Sequence, residues 1–170
     1  MISYEEFEDI VVNTLKRNIS SNEDQKKAIS SHANESLFIV AGPGSGKTTV
    51  IVLKILKYIF VDDIAPDEIL ATTFTRKAAN ELHSRILSWG DQIKNYLLDN
   101  IVEDDPVKEM ELMDFIEKKI DLNKINIGTT DSVAEDLLRI HREPGTNQPL
   151  VIEDFVTKYA MTNILLKDNI

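Results

Sequence analysis

Leu37-Phe38-Ile39-Val40-Ala41-Gly42-Pro43-Gly44-Ser45-Gly46-Lys47-Thr48-Thr49 is the stretch from which the fold is read. Leu37 to Val40 form a short apolar run with β-prone members, which predicts a strand. A glycine-broken loop follows, then Lys47 and Thr48. Beyond them Val50, Ile51, Leu53, Ile55, Leu56 and Ile59 give an apolar pattern compatible with a helix over 47–60. Strand, loop and helix in that order are what a phosphate-cradling loop needs. Gly42, Gly44 and Gly46 allow a tight turn that aims backbone N–H groups at phosphate oxygens. Pro43 and Ser45 fill the loop between them. Lys47 brings a compact positive charge to the β/γ-phosphates, the Thr48 hydroxyl can ligate Mg²⁺, and Thr49 follows in the same turn. The strict pattern opens with Gly where this chain has Ala41. A Gly/Ser-rich turn with a chance Gly-Lys-Thr is the bland alternative, disfavoured by the strand and helix on either side.

Working outward, 170 residues suffice for one domain with a real core, and 42% hydrophobic with 28% charged residues is ordinary for a soluble globular chain. The absence of Cys rules out a disulfide framework and thiolate metal sites. His32, His83 and His141 fit no metal spacing. The acidic start, Met1 to Glu6, lacks the regions of a signal peptide, and no apolar stretch approaches a membrane span of about 20 residues. A cytoplasmic protein without membrane contact is expected. The net charge of −10 argues against a generic DNA-coating surface. The charge is uneven, however. Asp99, Glu103, Asp104, Asp105, Glu109, Glu111, Asp114, Glu117 and Asp121 crowd one segment, whereas the stretch with Arg76, Lys77, Arg85 and Lys94 is balanced or mildly basic. One local face for nucleic acid stays open.

Upstream, residues 3–17 read as an amphipathic helix with Phe7, Ile10, Val11 and Leu15 on one face and a Ser3/Glu6 capping box. Residues 20–33 predict a second helix, capped by Ser21 or Asn22, with Gln25 near its start. A Gln side chain can pair with both N6 and N7 of adenine. Downstream, residues 68–74 predict a second, buried strand. A helix opens at Thr75-Arg76-Lys77 with Ala79, Leu82, Ile86 and Leu87 inward, and Gly90 is a break signal. Residues 91–122 predict an acidic helical pair broken at Asp104-Asp105-Pro106, residues 124–130 a third strand, and 131–142 a helix capped by Thr130 or Asp131. A loop over 143–149 and a last helix over 152–167 complete the chain. Repeated β-loop-α units predict an α/β protein with a parallel sheet. A strand ending in a Thr-rich turn before a helix puts hydroxyls and N–H groups at the carboxyl edge of that sheet, where ligands bind in open α/β folds.

Taken together, Gln25, the loop at 41–49, Ile-Leu-Ala-Thr-Thr-Phe-Thr-Arg-Lys-Ala-Ala-Asn-Glu-Leu at 69–82 and Ile-Gly-Thr-Thr-Asp-Ser at 127–132 resemble the N-terminal motor domain of UvrD/Rep-type superfamily 1 DNA helicases. The resemblance covers about residues 20 to 165, and its most discriminating part is Thr-Phe-Thr-x-Lys-Ala-Ala. It implies a RecA-like P-loop NTPase sheet flanked by helices, incomplete and with a helical insertion. It divides the chain into residues 1–92 (adenine motif, phosphate loop and motif Ia), an acidic helical insertion over 93–123, and 124–170 with the motif Ib strand. Gln25 would read adenine, with Asn22 also in the motif. Gly42, Pro43, Gly44, Ser45, Gly46, Lys47, Thr48 and Thr49 would bind ATP and Mg²⁺, with Lys47 and Thr48 the catalytic members. Thr73, Phe74, Thr75 and Arg76 of motif Ia, and Gly128 and Thr129 of motif Ib, would meet single-stranded DNA.

The chain departs from the family's pattern in three places. Arg76 stands where the family often has Asn, and can still grip a phosphate. Thr-Thr-Asp-Ser replaces the usual Thr-Phe-His-Ser, so Asp131 would repel a DNA phosphate. No Asp-Glu-x-Gln segment follows an apolar run in 150–170. Phosphoryl transfer needs a metal-side carboxylate, a water-positioning residue and a charge-stabilising Arg. The resemblance therefore implies the N-terminal part of a longer ATP-dependent 3′-to-5′ helicase, inactive as an ATPase on its own. Its partners would be single-stranded and duplex DNA, the remainder of the helicase chain, and a second copy through exposed sheet edges. Two alternatives compete: a nucleotide kinase, against which stand the 36 residues ahead of the strand and the acidic later segment, and a non-catalytic ATP-binding module.

Overall fold

In this computed structural model the structure describes residues 2–100, 106–141 and 145. The chain divides into two compact units, Met1–Gly128 and Thr129–Ile170.

The first unit is assembled on one apolar helix. α1 (Tyr4–Leu15) starts with the expected capping box: Ser3 Oγ accepts from Glu6 N–H at 3.1 Å, and Ser3 N–H donates to Glu6 Oε2 at 2.7 Å. A short 3₁₀ turn, Ile19–Ser21, leads to α2 (Glu23–Ser30), whose N-cap is Asn22. The glycine-rich loop over 41–46 then runs into α3 (Lys47–Phe60). Val50, Val52, Leu53, Ile55, Leu56, Ile59 and Phe60 of α3 are all buried, so the helix is apolar almost all round and sits among α1, α2 and α4. β1 (Leu70–Thr73) precedes α4 (Arg76–Asp99), which contributes Leu82, Ile86 and Ile93 to the same core. α5 (Pro106–Lys119) and β2 (Asn126–Thr129) follow. β2 lies beside β1 in a two-stranded parallel sheet, anchored where Asn126 N–H donates to the Ile69 carbonyl at 3.0 Å.

Three expectations change in this unit. Residues 37–40 form no ladder with any described strand, and Phe38 is 94% and Val40 84% exposed. A buried parallel strand is stable only between neighbours that supply hydrogen bonds and cover both faces. The described residues offer neither, so β propensity alone does not make the strand. β1 is likewise not buried: its residues alternate exposed and half-buried, with Leu70 56% exposed, because α4 packs on it and, among the described residues, only β2 pairs with it. Finally, α4 passes through Gly90 without a break. Gly90 is there for closeness rather than for a turn. A Cβ at that position would lie 2.2 Å from Leu122 Cδ1 and 3.1 Å from Leu56 Cδ2. At Asp63 the backbone takes a left-handed φ of 59°, and the side chain pairs with Lys119 of α5 at 3.0 Å.

The second unit is described through α6 (Thr130–Ile140). Its cap is Thr129, not Thr130 or Asp131: Thr129 Oγ1 accepts from Ser132 N–H at 3.1 Å. None of the α6 side chains is buried. The break expected at 104–105, most of the loop expected over 143–149 and the helix expected over 152–167 lie outside the described residues.

Candidate functional site: the phosphate loop and the Gln25 helix

Gly46 is the N-cap of α3 and holds φ 83°, and Gly44 holds φ 75°. Both values lie in the left-handed region that L side chains avoid, which is why glycine recurs at this spacing. A Cβ on Gly42 or Gly44 would meet nothing within 4 Å, so these glycines face open space. The loop is closed on itself by the Gly42 carbonyl. That oxygen accepts from Ser45 N–H at 3.4 Å, Ser45 Oγ at 2.8 Å and Lys47 Nζ at 2.5 Å. Lys47 Nζ also donates to the Ala41 carbonyl at 3.0 Å. The ammonium thus lies across the loop, with its charge over the turn that the glycines create. The backbone N–H groups of Gly44, Gly46, Lys47 and Thr48 have no backbone acceptor among the described residues. Unpaired N–H groups at a helix start, together with the helix dipole, attract anionic oxygens.

Gln25 reaches this loop from α2. Its Nε2 donates to the Ser45 carbonyl at 3.1 Å and lies 3.3 Å from where a Cβ on Gly46 would stand. That bond uses one of the two amide hydrogens. The other hydrogen and the Oε1 acceptor remain for a ligand, which is the pair a Gln needs to read N7 and N6 of adenine. Asn22 has a different duty: its Oδ1 accepts from Gln25 N–H at 3.0 Å and caps α2. A cavity of about 210 Å³ opens between these elements, lined by Asn22, Asp24, Gln25, Ala28, Ile39, Val40, Ala41, Ser45, Lys47 and Val50. It pairs an aliphatic wall with a polar one. Thr48 and Thr49 lie half-buried in the first turn of α3.

The β1–α4 turn is built differently. Thr73 Oγ1 donates to the Thr75 carbonyl at 2.9 Å, and Thr75 Oγ1 caps α4 by accepting from Ala78 N–H at 3.2 Å. Phe74 is 98% exposed, and Arg76 and Lys77 are exposed beside it. No acidic residue stands in the first turn of α4. Gly128 ends the first unit within β2, while the Thr129 hydroxyl is engaged in capping α6 and in a 3.1 Å bond to Ser132 Oγ.

Two features escaped the sequence reading. Asp24 lines the cavity with Gln25, and no motif marked it. Lys54 and Lys57 bind the far end of α2, with Lys54 Nζ donating to the Ala28 carbonyl at 2.7 Å and Lys57 Nζ to the Ser31 carbonyl at 3.3 Å. The spacing of Lys47 and Lys54, seven residues, places them on one helix face, but nothing in the sequence marks Ala28 and Ser31 as their partners.

The profile of the UvrD/REP helicase N-terminal domain matches residues 21–169, nearly the whole chain. The chain belongs to the UvrD/REP helicase N-terminal domain family. Among curated relatives, it is 38% identical over 122 residues to the ATP-dependent DNA helicase Rep of Buchnera aphidicola, covering 72% of this chain and 17% of that protein. It is 42% identical over 67 residues to DNA helicase II of Escherichia coli, covering 39% of this chain and 9% of that protein. With the ATP-dependent DNA helicase UvrD1 of Mycobacterium leprae it shares 45% identity over 65 residues, 38% of this chain and 8% of that protein. This UvrD/REP-family chain therefore spans less than a fifth of the length of each of these relatives. No described helix is long and apolar enough to cross a membrane.

Proposed function

We propose that this chain is the ATP-binding N-terminal part of an ATP-dependent DNA helicase, and that residues 42–49 take the triphosphate while Gln25 selects the adenine. The observation that carries the reading is the junction of the two: the Gln25 amide is bonded to the Ser45 carbonyl of the loop. The family supports the class of activity. The free N–H groups of Gly44, Gly46, Lys47 and Thr48 and the Lys47 ammonium suit phosphate oxygens, and the Thr48 hydroxyl suits a hard cation beside them. Mg²⁺ would neutralise charge between the β- and γ-phosphates when bound. On binding, Lys47 exchanges the Ala41 and Gly42 carbonyls for phosphate oxygens, both charge-assisted contacts.

Single-stranded DNA is assigned to the turns after β1 and β2. Phe74 offers a free ring for base stacking, and Thr75, Arg76 and the start of α4 offer phosphate contacts. Parallel pairing brings the ends of β1 and β2, with Thr73 and Gly128, to the same sheet edge. Thr129 contributes backbone rather than its hydroxyl, which is committed to a cap. The exposed residues 37–40 would be covered by further strands of a longer helicase chain or by a second copy. Translocation from 3′ to 5′ is assigned to such a longer protein.

The test has two arms. The 170-residue chain should bind Mg·ATP and a single-stranded oligonucleotide yet show no DNA-stimulated, Lys47-dependent ATP hydrolysis. Turnover of that kind would overturn the expected inactivity of the chain on its own, failure to bind Mg·ATP would overturn the assignment, and phosphate transfer to a nucleoside monophosphate would replace it with a kinase.

A further inference from the structure

α2 is a short helix that packs on α3, with Lys26 paired to Glu8 of α1 at 3.0 Å. Of its eight residues, Glu23–Ser30, only Ile29 is buried. It nevertheless has to keep Gln25 in register with a loop on another element. At its N-terminal end the tie is the bond from Gln25 Nε2 to the Ser45 carbonyl. At its C-terminal end two lysines of α3 close on the last carbonyls, that of Ala28, which also accepts from the Ser31 hydroxyl at 3.0 Å, and that of Ser31. Lys54 Nζ donates to the Ala28 carbonyl at 2.7 Å, to the Ser31 carbonyl at 3.3 Å and to Ser31 Oγ. Lys57 Nζ donates to the Ser31 carbonyl at 3.3 Å and is fixed by both oxygens of Asp62, at 2.8 and 2.7 Å. The Tyr58 ring lies 4.9 Å from Lys54 Nζ and 5.6 Å from Lys57 Nζ. Cations suit this end of a helix, where unpaired carbonyls gather negative charge.

We propose that Lys54, backed by Lys57, is a positioning residue for base selection: it clamps the C-terminal end of α2 to the helix that carries Lys47, and so holds Gln25 at the phosphate loop. This rests on the reading of Gln25 as the adenine selector. Lys47 and Lys54 stand on one face of α3, so phosphate site and clamp share a rigid rod. The lever is short. Gln25 is four residues from Ile29, or about 6 Å along the axis, so a tilt of about 10° about Ile29 moves it by about 1 Å. A displacement of that size exceeds the tolerance of about 0.5 Å within which a recognition group works. Burial, and then the nearby Lys57, hold the Lys54 ammonium below its ordinary lysine value, opposed by Asp62 and Glu35.

The experiment measures the affinity of the full 170-residue chain for Mg·ATP, Mg·GTP and inorganic tripolyphosphate. In Lys54→Met the ATP-over-GTP preference should fall by about fivefold, the worth of one misaligned polar contact, with tripolyphosphate affinity unchanged within about twofold. Lys54→Arg should restore the preference. Ser31→Ala, a milder change that leaves the carbonyls in place, should lower it in the same direction and decides the matter if Lys54→Met does not fold. A folded Lys54→Met with the wild-type preference, or a parallel loss for tripolyphosphate, would overturn the clamp. Absence of any ATP preference in the unsubstituted chain would instead overturn the Gln25 reading, and the clamp with it.

Discussion

Gln25 and Ser45, twenty residues apart, are joined by a single hydrogen bond of 3.1 Å from the Gln25 amide to the Ser45 carbonyl. The bond orients the amide plane at the mouth of the cavity that Lys47 also lines. Gln25→Ala should weaken ATP by about tenfold, and Gln25→Glu, which offers acceptors only, should weaken it at least as much. Tripolyphosphate should bind both variants like the wild type. Competition against a fluorescent nucleotide measures all three. Equal losses for ATP and tripolyphosphate would mean that Gln25 shapes the loop rather than reading a base.

Lys57 is the one buried polar residue among those described, 2% exposed, with Asp62 as its counter-charge at 2.7 Å. The two partners are unequal, because Asp62 keeps contact with solvent. Asp62→Ala strands an ammonium in the core and should cost about 2–3 kcal/mol. Lys57→Met leaves a carboxylate that water can reach and should stay within about 1 kcal/mol of wild type. Urea unfolding of both variants gives the comparison, and equal losses would contradict it.

Gly90 is the third case. Helix propensity alone would favour Gly90→Ala by about 1 kcal/mol. The added methyl, however, meets Leu122 and Leu56, both buried. The variant should therefore be destabilised by about 1–2 kcal/mol. Gly90→Ala with Leu122→Ala should lose about 1 kcal/mol less than the sum of the single changes, since the second makes room for the first.

Alkaline pH should expose a fourth feature. The Tyr4 hydroxyl is buried beside the Glu8 carboxylate, and burial, followed by the negative charge of Glu8 and a hydrogen bond to it, raises it well above its ordinary value of 10.0. The folded chain then keeps this proton after the unfolded chain has released it. Stability is fully present below about pH 10 and falls above it, by linkage. Burial raises Tyr58 in the same direction. Tyr4→Phe should flatten the decline between about pH 10 and 11, at a cost of no more than about 1 kcal/mol at neutral pH. An unchanged alkaline limb would contradict this.

Local signals carried most of what was legible in the sequence. Ser3 with Glu6 marks the start of α1, Asn22 caps α2, and the apolar pattern after Lys47 delimits α3, because caps and helical periodicity are written within a few residues. What depends on distant residues was not legible. Leu37 to Val40 have strand character but no described neighbour to pair with. Gly90 carries a break signal, yet its role is set by Leu122, thirty-two residues on. Lys54 and Lys57 look like a solvated face until Ala28 and Ser31 arrive from another helix. In the candidate site, the loop and Gln25 were read from motif and resemblance, whereas Asp24 and the two lysines are visible only in three dimensions.

The central claim is that the amides around residues 42–48, with the Lys47 ammonium, form a nest for a triphosphate. Isothermal titration of Mg·ATP into the 170-residue chain and its Lys47→Ala variant tests it most directly. The account predicts one saturable site in the wild type, competed by tripolyphosphate, and an affinity at least about tenfold weaker in Lys47→Ala. No binding by the wild type, or equal binding by both, would contradict it.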